Sequence, residues 1–354
     1  MSYNDSRPIV SIIMPAYNAE KFIGRAIESV LQQDYSNIEL IICDDASTDN
    51  TCLIAEKYND SRVKIIKEKH NSGSAYVPRY KAYMHSIGEY VLNLDADDFL
   101  ALNYIDRMMS HIFECQADIC CGWTIRVNED EKELKGDVHV PKDNFDFSVK
   151  MTGKEAFFYT VPDWTISMAG VLAKRKIWEL GFKYNYKDGV RNTHDDENTS
   201  RCMLLNAKNV VFAKVKYFYT MNPSSVTHVF SDKSFTFMKS EEDLLCITKK
   251  EFGVDSLEYR AVEASDYNAY CQIVNALIES SNVIDYYVME NYLDILMNWH
   301  RRLNWKNVKK FYGQIKGVID ENFLIGIFIR TLKKSRSIKK SISIMKLAYK
   351  TAIR

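Results

Sequence analysis

The chain's 354 residues, at about 150 per domain, make room for two domains. An apolar share of 46% and a charged share of 27% exclude a disordered or collagen-like chain. Lys+Arg and Asp+Glu both number 47, so the net charge is zero and a whole-protein basic field for nucleic acid is excluded.

Val10–Met14 is a nearly continuous apolar run ending at Pro15, as a buried parallel strand requires. Asn18 is a candidate cap for the helix that follows. There Phe22, Ile23, Ala26, Ile27, Val30 and Leu31 repeat at helical spacing. Ile38–Cys43 reads as a second strand, Thr48–Tyr58 as a short helix and Val63–Lys67 as a third strand. Ser74–Ser86 reads as a helix, and its Pro78 demands a place in or near the first turn. Tyr90–Leu94 is a fourth strand and Tyr104–Glu114 another helix. Strand and helix in turn, with short connections, predict an open parallel sheet with helices on both faces.

The pattern weakens beyond Trp123. Asn128–Asp137 is polar, Gly153–Tyr159 and Lys174–Leu180 read as short helices, and Asn198–Leu205 as a helix behind an acidic cluster. Asn209–Thr220 is strand-like with a bend at Lys214. Helical patterns then cover Glu241–Lys250, Tyr267–Ser280, Val288–Leu303 and Val308–Ile319, so a boundary is expected near residue 230: 1–230, then a helical 231–354.

Eight cysteines form no CxxC pair, and Cys43, Cys120 and Cys121 lie in apolar strands. With a polar start and no apolar run near the ~18 residues of a membrane span, they point to a reducing, cytosolic setting. Residues 331–354 hold eight Lys/Arg and no acid, leaving −8 on the rest. Ile338, Ile342, Met345 and Tyr349 form an apolar stripe there. A basic amphipathic helix of this kind suits a peripheral contact with the inner face of a membrane, or a solvated tail.

In an open α/β sheet, ligands bind at the carboxyl ends of the strands. Those ends carry Pro15-Ala16-Tyr17-Asn18, then Asp44-Asp45, then Asn71-Ser72-Gly73 with Arg79, then Asp95-Ala96-Asp97-Asp98. No Gly-x-Gly-x-x-Gly or Walker loop is present, so a dinucleotide or P-loop site is not supported. Asp95 and Asp97 repel unless a hard divalent cation relieves them, and such a cation completes its shell with phosphate oxygens. Asp97 or Asp98 is alternatively a helix cap.

The run "SIIMPAYNAEKFIGRAIESVLQQ…IELIICDDASTDNT…NSGSAYVPRYKA…GEYVLNLDADD" resembles glycosyltransferase family 2, the nucleotide-sugar-dependent transferases of bacterial polysaccharide synthesis with a GT-A fold. The match is strong over about 8–125 and weaker over 150–230. The resemblance implies an α/β, Rossmann-like, mostly parallel sheet followed here by a helical extension. It implies that Pro15, Ala16, Tyr17, Asn18, Asp44, Asp45, Asn71, Gly73, Arg79, Asp95 and Ala96 line the donor nucleotide site. Asp97 and Asp95 would hold Mn²⁺ or Mg²⁺, with His228 a further candidate ligand. Two departures are Tyr80, where the family usually has Asn, and Val77-Pro78, where it has small residues.

The family's catalytic base lies on an acidic pair before a helix. The best match is His194-Asp195-Asp196-Glu197, with Asp196 the first choice and Asp195 and Glu197 the alternatives. Direct displacement at an anomeric carbon needs a carboxylate to take the acceptor's proton; equally, acids favour helix N-termini. Trp164 is a candidate acceptor wall or a core filler. The implied function is a metal-dependent, inverting hexosyl- or N-acetylhexosaminyltransferase. It would move sugar from a UDP-linked donor to a saccharide or lipid-linked saccharide in surface polysaccharide synthesis. A sugar nucleotidyltransferase or a nucleotide-sugar-binding protein is the alternative.

Overall fold

The computed structural model describes residues 7–134, 146–161, 169–185, 195–222 and 232–279, with 292, 295–296, 298–299, 301–304 and 306–307. The first four strands are β1 (Val10–Ala16), β2 (Ile38–Asp44), β3 (Val63–Lys67) and β4 (Tyr90–Asn93). β1 pairs in parallel with β2 and β4, and β2 with β3. β1 and β2 are buried throughout, which is why they are apolar without alternation. β3 is the edge, so Lys64 and Lys67 are tolerated there.

The second half of the sheet mixes parallel and antiparallel pairs, and the sheet as a whole is mostly parallel, as expected. That half comprises β5 (Phe99–Leu100), β6 (Ile119–Val127), β7 (Val171–Lys174) and β8 (Val210–Thr220), in the order β3-β2-β1-β4-β7-β6-β8-β5. β7 runs antiparallel to both β4 and β6, and β5 antiparallel to β8, while β6 and β8 are parallel. Opposite Cys121 and Trp123, β8 advances from Phe212 to Lys216, a bulge where the sequence suggested a bend at Lys214.

The helices of this half are α1 (Ile23–Leu31), α2 (Thr51–Ala55), α3 (Tyr76–His85), α4 (Tyr104–Cys115), α5 (Gly153–Thr160), α6 (Arg175–Asn185) and α7 (Asp195–Asn206). Ile23, Ile27 and Val30 of α1 and Ile105, Met108 and Ile112 of α4 share one core cluster with Ile12, Met14, Leu40 and Ile42. The alternate strand residues face the other way, where α3 packs on β1 and β2, and α6 on β4. Pro78 falls in the first turn of α3, as its ring requires. Thr152 and Glu155 form a reciprocal capping box for α5. Asn18 does not cap α1; its Oδ1 accepts from the Thr48 amide at 2.8 Å instead.

Tyr104 is fully buried and its hydroxyl donates to the Gly170 carbonyl at 2.6 Å. A Cβ on Gly122 would lie 2.0 Å from that hydroxyl oxygen. Gly122→Ala must therefore displace the ring and its hydrogen bond, for a loss of roughly 2–4 kcal/mol. A chemical denaturation midpoint equal to wild type would contradict this packing.

The chain divides into two compact units, Met1–Ser225 and Val226–Arg354. In the second, a 3₁₀ turn (Asp232–Phe235) leads into α8 (Thr236–Phe252) and α9 (Leu257–Glu279), both longer than their sequence patterns. Gly253, at φ 82, ends α8. Buried Asp266 accepts from Trp299 Nε1 and Arg302 Nη2, each at 2.7 Å. Burial raises its carboxyl to about 7, against the Trp299 bond. Half of Val288–Leu303, all of Val308–Ile319 and the basic segment 331–354 lie outside the described residues. No helix among the described residues is long and apolar enough to cross a membrane.

Candidate active site

The ends of β1 and β2 are stitched into one surface. The Asp45 amide donates to the Ala16 carbonyl at 2.8 Å, and the Asn18 amide to Ser47 Oγ at 3.0 Å. Asn18 and Ala46 hold left-handed backbone (φ 48 and 60), turning both loops sharply beyond the sheet. Pro15 points, with Ile13, toward β4, whose ladder ends at Asn93 opposite Ile13. The missing N–H of Pro15 therefore costs no sheet bond. Tyr17 stands 50% exposed beside this surface, over buried Ala16.

Asp44 and Asp45 are 5% and 3% exposed. Asp44 Oδ2 accepts from the Ser47 amide at 3.2 Å. Asp45 Oδ2 accepts from the Ser72 amide and hydroxyl at 2.9 and 2.8 Å. Asn71 Nδ2 donates to the Asp45 carbonyl at 3.3 Å, and Asn71 Oδ1 accepts from the Gly73 amide at 2.7 Å. Gly73 sits at φ 78, a conformation that favours glycine. The Oδ1 atoms of Asp44 and Asp45 are both buried and have no donor among the described residues.

Arg79 lies beneath the fourth strand end. Its Nε donates to Asn93 Oδ1 at 2.8 Å and its Nη2 to Asp95 Oδ1 at 3.1 Å. Asn93 Nδ2 reaches the same Asp95 oxygen at 3.0 Å, leaving Oδ2 for a ligand. Tyr80 turns away from this region and packs edge-on against Phe182, 5.3 Å between centroids. The unusual residue on α3 therefore serves the α3–α6 contact.

Ala96 is buried and Asp97 half-buried. Burial, then the charge of Asp95, raises the Asp97 carboxyl to about 6, against a 3.4 Å bond from Asn222 Nδ2. Asp98 does not cap a helix. It is fully buried and accepts from the Tyr217 hydroxyl at 2.7 Å and the Thr220 amide at 2.8 Å, locking the turn to β8. Burial drives its carboxyl well above the usual range. Tyr217 also accepts from the Asp95 amide at 3.2 Å. Two adjacent carboxylates, one with a ready oxygen and one raised by its neighbour, are a donor set that suits Mg²⁺ or Mn²⁺ with phosphate completing the shell. Among the described residues no three His, Cys, Asp or Glu side chains converge on one point. His228 and Trp164 lie outside the described residues.

α7 begins at Asp195, whose side chain is not among those described. Asp196 is half-buried and its Oδ1 accepts from the Glu197 amide at 3.0 Å. Glu197 faces inward, 3.9 Å from buried Arg201, and burial raises its carboxyl despite that cation. Arg201 also donates to the Thr160 hydroxyl and, at 3.1 Å, to the Thr160 carbonyl. The structure thus separates an accessible Asp196 from an internal Glu197. Sequence reasoning missed Asn93, two residues before Asp95, and Tyr217 and Asn222, which orient the acids from the distant end of β8.

A profile of the family described as Glycosyl transferase family 2 matches residues 11–173. Glycosyltransferase GlyG of Streptococcus pneumoniae serotype 4 is 30% identical over 234 residues, covering 64% of this chain and 75% of GlyG. The chain belongs to glycosyltransferase family 2. This glycosyltransferase is also similar to the Escherichia coli UDP-Glc:alpha-D-GlcNAc-diphosphoundecaprenol beta-1,3-glucosyltransferase WfgD, 41% identical over 102 residues. That match covers 29% of this chain and 40% of WfgD, so the chain spans less than half of that relative. The crystal structure of S. aureus TarS 1–349 with UDP-GlcNAc shares the fold. It superposes with a TM-score of 0.61 at 18% identity, over 97% of this glycosyltransferase and 91% of that chain.

Proposed function

We propose that this glycosyltransferase is an inverting, metal-dependent enzyme that takes a hexosyl or N-acetylhexosaminyl group from a UDP-sugar. Its acceptor is a saccharide or lipid-linked saccharide of a surface polysaccharide. One observation carries the reading: Asp44 and Asp45, at the end of β2, each bury a carboxylate oxygen with no donor among the described residues, one strand away from Asp95 and Asp97 after β4. Leaving such an oxygen bare costs about 1–3 kcal/mol, so the site calls for a ligand rich in N–H and O–H. The imide of uracil and the hydroxyls of ribose supply them.

Asp95 and Asp97 would hold the Mn²⁺ or Mg²⁺. When bound, that ion supplies charge neutralisation for the departing diphosphate. Arg79 and Asn93 keep Asp95 Oδ1 engaged, so its other oxygen stays aimed outward. Pro15, Ala16, Tyr17, Asn18, Asn71, Gly73 and Ala96 line the donor. Asp196 takes the proton of the acceptor hydroxyl as its oxygen bonds to the anomeric carbon and the bond to the diphosphate breaks. WfgD, whose name specifies UDP-glucose and a diphosphoundecaprenol-linked acceptor, supports this choice of substrates.

We take residues 1–230 as the catalytic domain and 231–354 as a helical region. Trp164 and His228 keep the roles the sequence suggests for them, acceptor wall and additional metal ligand. The experiment that tests the site is thermal unfolding with UDP. At about 100 times its Kd, with Mn²⁺ present, UDP should stabilise the protein by about 2.7 kcal/mol, and EDTA should shrink the shift to that of weaker, metal-free binding. Equal melting temperatures with and without nucleotide would sink the reading. The basic stripe suggests a peripheral lipid contact through 331–354. The full chain should co-sediment with anionic vesicles and a chain ending at residue 330 should not; equal sedimentation discards the contact.

A further inference from the structure

Arg25 lies in the first turn of α1, and its side chain is only 19% exposed. Its Nη2 donates to the main-chain oxygen of Asp97 at 2.9 Å and to Thr220 Oγ1 at 2.7 Å. Its Nη1 lies 3.5 Å from Glu131 Oε1. The guanidinium also covers the Phe99 ring at 4.3 Å, and that ring stacks on Phe218 at 4.5 Å. Glu131 itself sits in a left-handed conformation (φ 65), in a turn closed by the Lys132 amide on Asn128 Oδ1 at 2.8 Å.

One side chain therefore ties together α1, the Asp95–Asp97 turn, the end of β8 and the turn after β6. Ordering an arginine in this way costs rotamer freedom. Anchoring in the fold alone does not call for a contact with the Asp97 carbonyl. The carboxylate of Asp97 accepts a bond from Asn222 at 3.4 Å, near the outer limit for a hydrogen bond. Among the described residues, its direction is thus set mainly through its own backbone. That backbone is fixed from one side by the Asp98 bonds to Tyr217 and Thr220, and from the other by Arg25.

We infer that Arg25 is a positioning residue for Asp97: by gripping the Asp97 carbonyl it holds the carboxylate where a divalent cation and the donor's diphosphate would meet it. The inference rests on the metal–nucleotide reading above. The planar fork of arginine reaches the Asp97 and Thr220 oxygens while its face rests on Phe99, a combination lysine cannot reproduce.

The test is Mn²⁺ binding in the presence of UDP, followed by the electron paramagnetic resonance signal of free Mn²⁺. UDP affinity without metal and metal-free melting temperature are measured in parallel. Arg25→Ala should weaken Mn²⁺ binding by about 10–100-fold, the usual cost of losing an outer-shell partner. Metal-free UDP affinity, set by Asp44 and Asp45, should stay within about twofold of wild type, since neither aspartate touches Arg25. Arg25→Lys should recover part of the Mn²⁺ affinity, and Thr220→Val should lose several-fold by freeing one Arg25 contact. Wild-type Mn²⁺ affinity in Arg25→Ala overturns the inference. So does a matching loss of metal-free UDP affinity, which marks a merely structural arginine. If Arg25→Ala does not fold, unchanged Mn²⁺ affinity in both Arg25→Lys and Thr220→Val overturns it. Wild-type protein that binds UDP equally with and without Mn²⁺ instead overturns the metal reading itself, and this role with it.

Discussion

Asp97→Ala is expected to abolish Mn²⁺-dependent UDP binding while leaving the protein folded. Asp97 and Asp95 are the two carboxylates of the turn after β4, and burial plus mutual charge already raise Asp97 to about 6. The metal-free protein thus holds this carboxylate at a cost, which a bound divalent cation would relieve. Removing Asp97 deletes a ligand and relieves that repulsion together. Mn²⁺ affinity should fall at least about 100-fold, the upper end for losses in the outer shell alone. Melting temperature without metal should hold or rise. Asp98 makes the opposite comparison: its oxygens take the Tyr217 hydroxyl and the Thr220 amide, so Asp98→Ala should lower stability. An Asp97→Ala protein with unchanged Mn²⁺-dependent UDP affinity would refute the metal assignment.

Asp196→Asn should keep UDP-sugar binding and lose roughly 10²–10⁴-fold in transfer rate, the range for a lost general base. Asparagine keeps the size of the side chain and the oxygen that accepts from the Glu197 amide, so the start of α7 should stay intact. Glu197→Gln acts elsewhere, because Glu197 is internal and faces Arg201. Its expected effect is on stability more than on turnover. Single-turnover transfer by Asp196→Asn and Asp195→Asn, measured side by side, decides the register. A fully active Asp196→Asn with a dead Asp195→Asn moves the base by one residue.

Much of the parallel half was legible because its signals are local. β3 runs over Val63–Lys67 as its pattern predicts, and α3 places Pro78 in its first turn. A continuous apolar run between turn residues leaves few alternatives to a buried strand. The second half was harder to read. β7 is four residues long and β5 two, too short for a period to show. Lys174, expected to start a helix, ends β7 because it pairs with Tyr90 across the sheet. Such pairings are decided by neighbours distant in sequence, and burial there overrides local propensity. The acidic cluster left Asp195, Asp196 and Glu197 as alternatives, and only the fold turns Glu197 into the protein.

By itself the sequence determined which strand ends carry acids, since a polar run after an apolar strand is a local fact. Asp44, Asp45, Asp95 and Asp97 could be named from it, with a family resemblance to give them roles. Only the tertiary structure decided which of their oxygens are already engaged. Asp95 Oδ1 belongs to Arg79 and Asn93, Asp98 belongs to β8, and Asp44 and Asp45 each keep one oxygen with no donor among the described residues. Arg25 meets Asp97 across 72 positions and Thr220 across 195. Hydrogen bonds at such separations leave no periodicity in the chain; they exist only once the sheet order has brought α1, the β4 turn and β8 together.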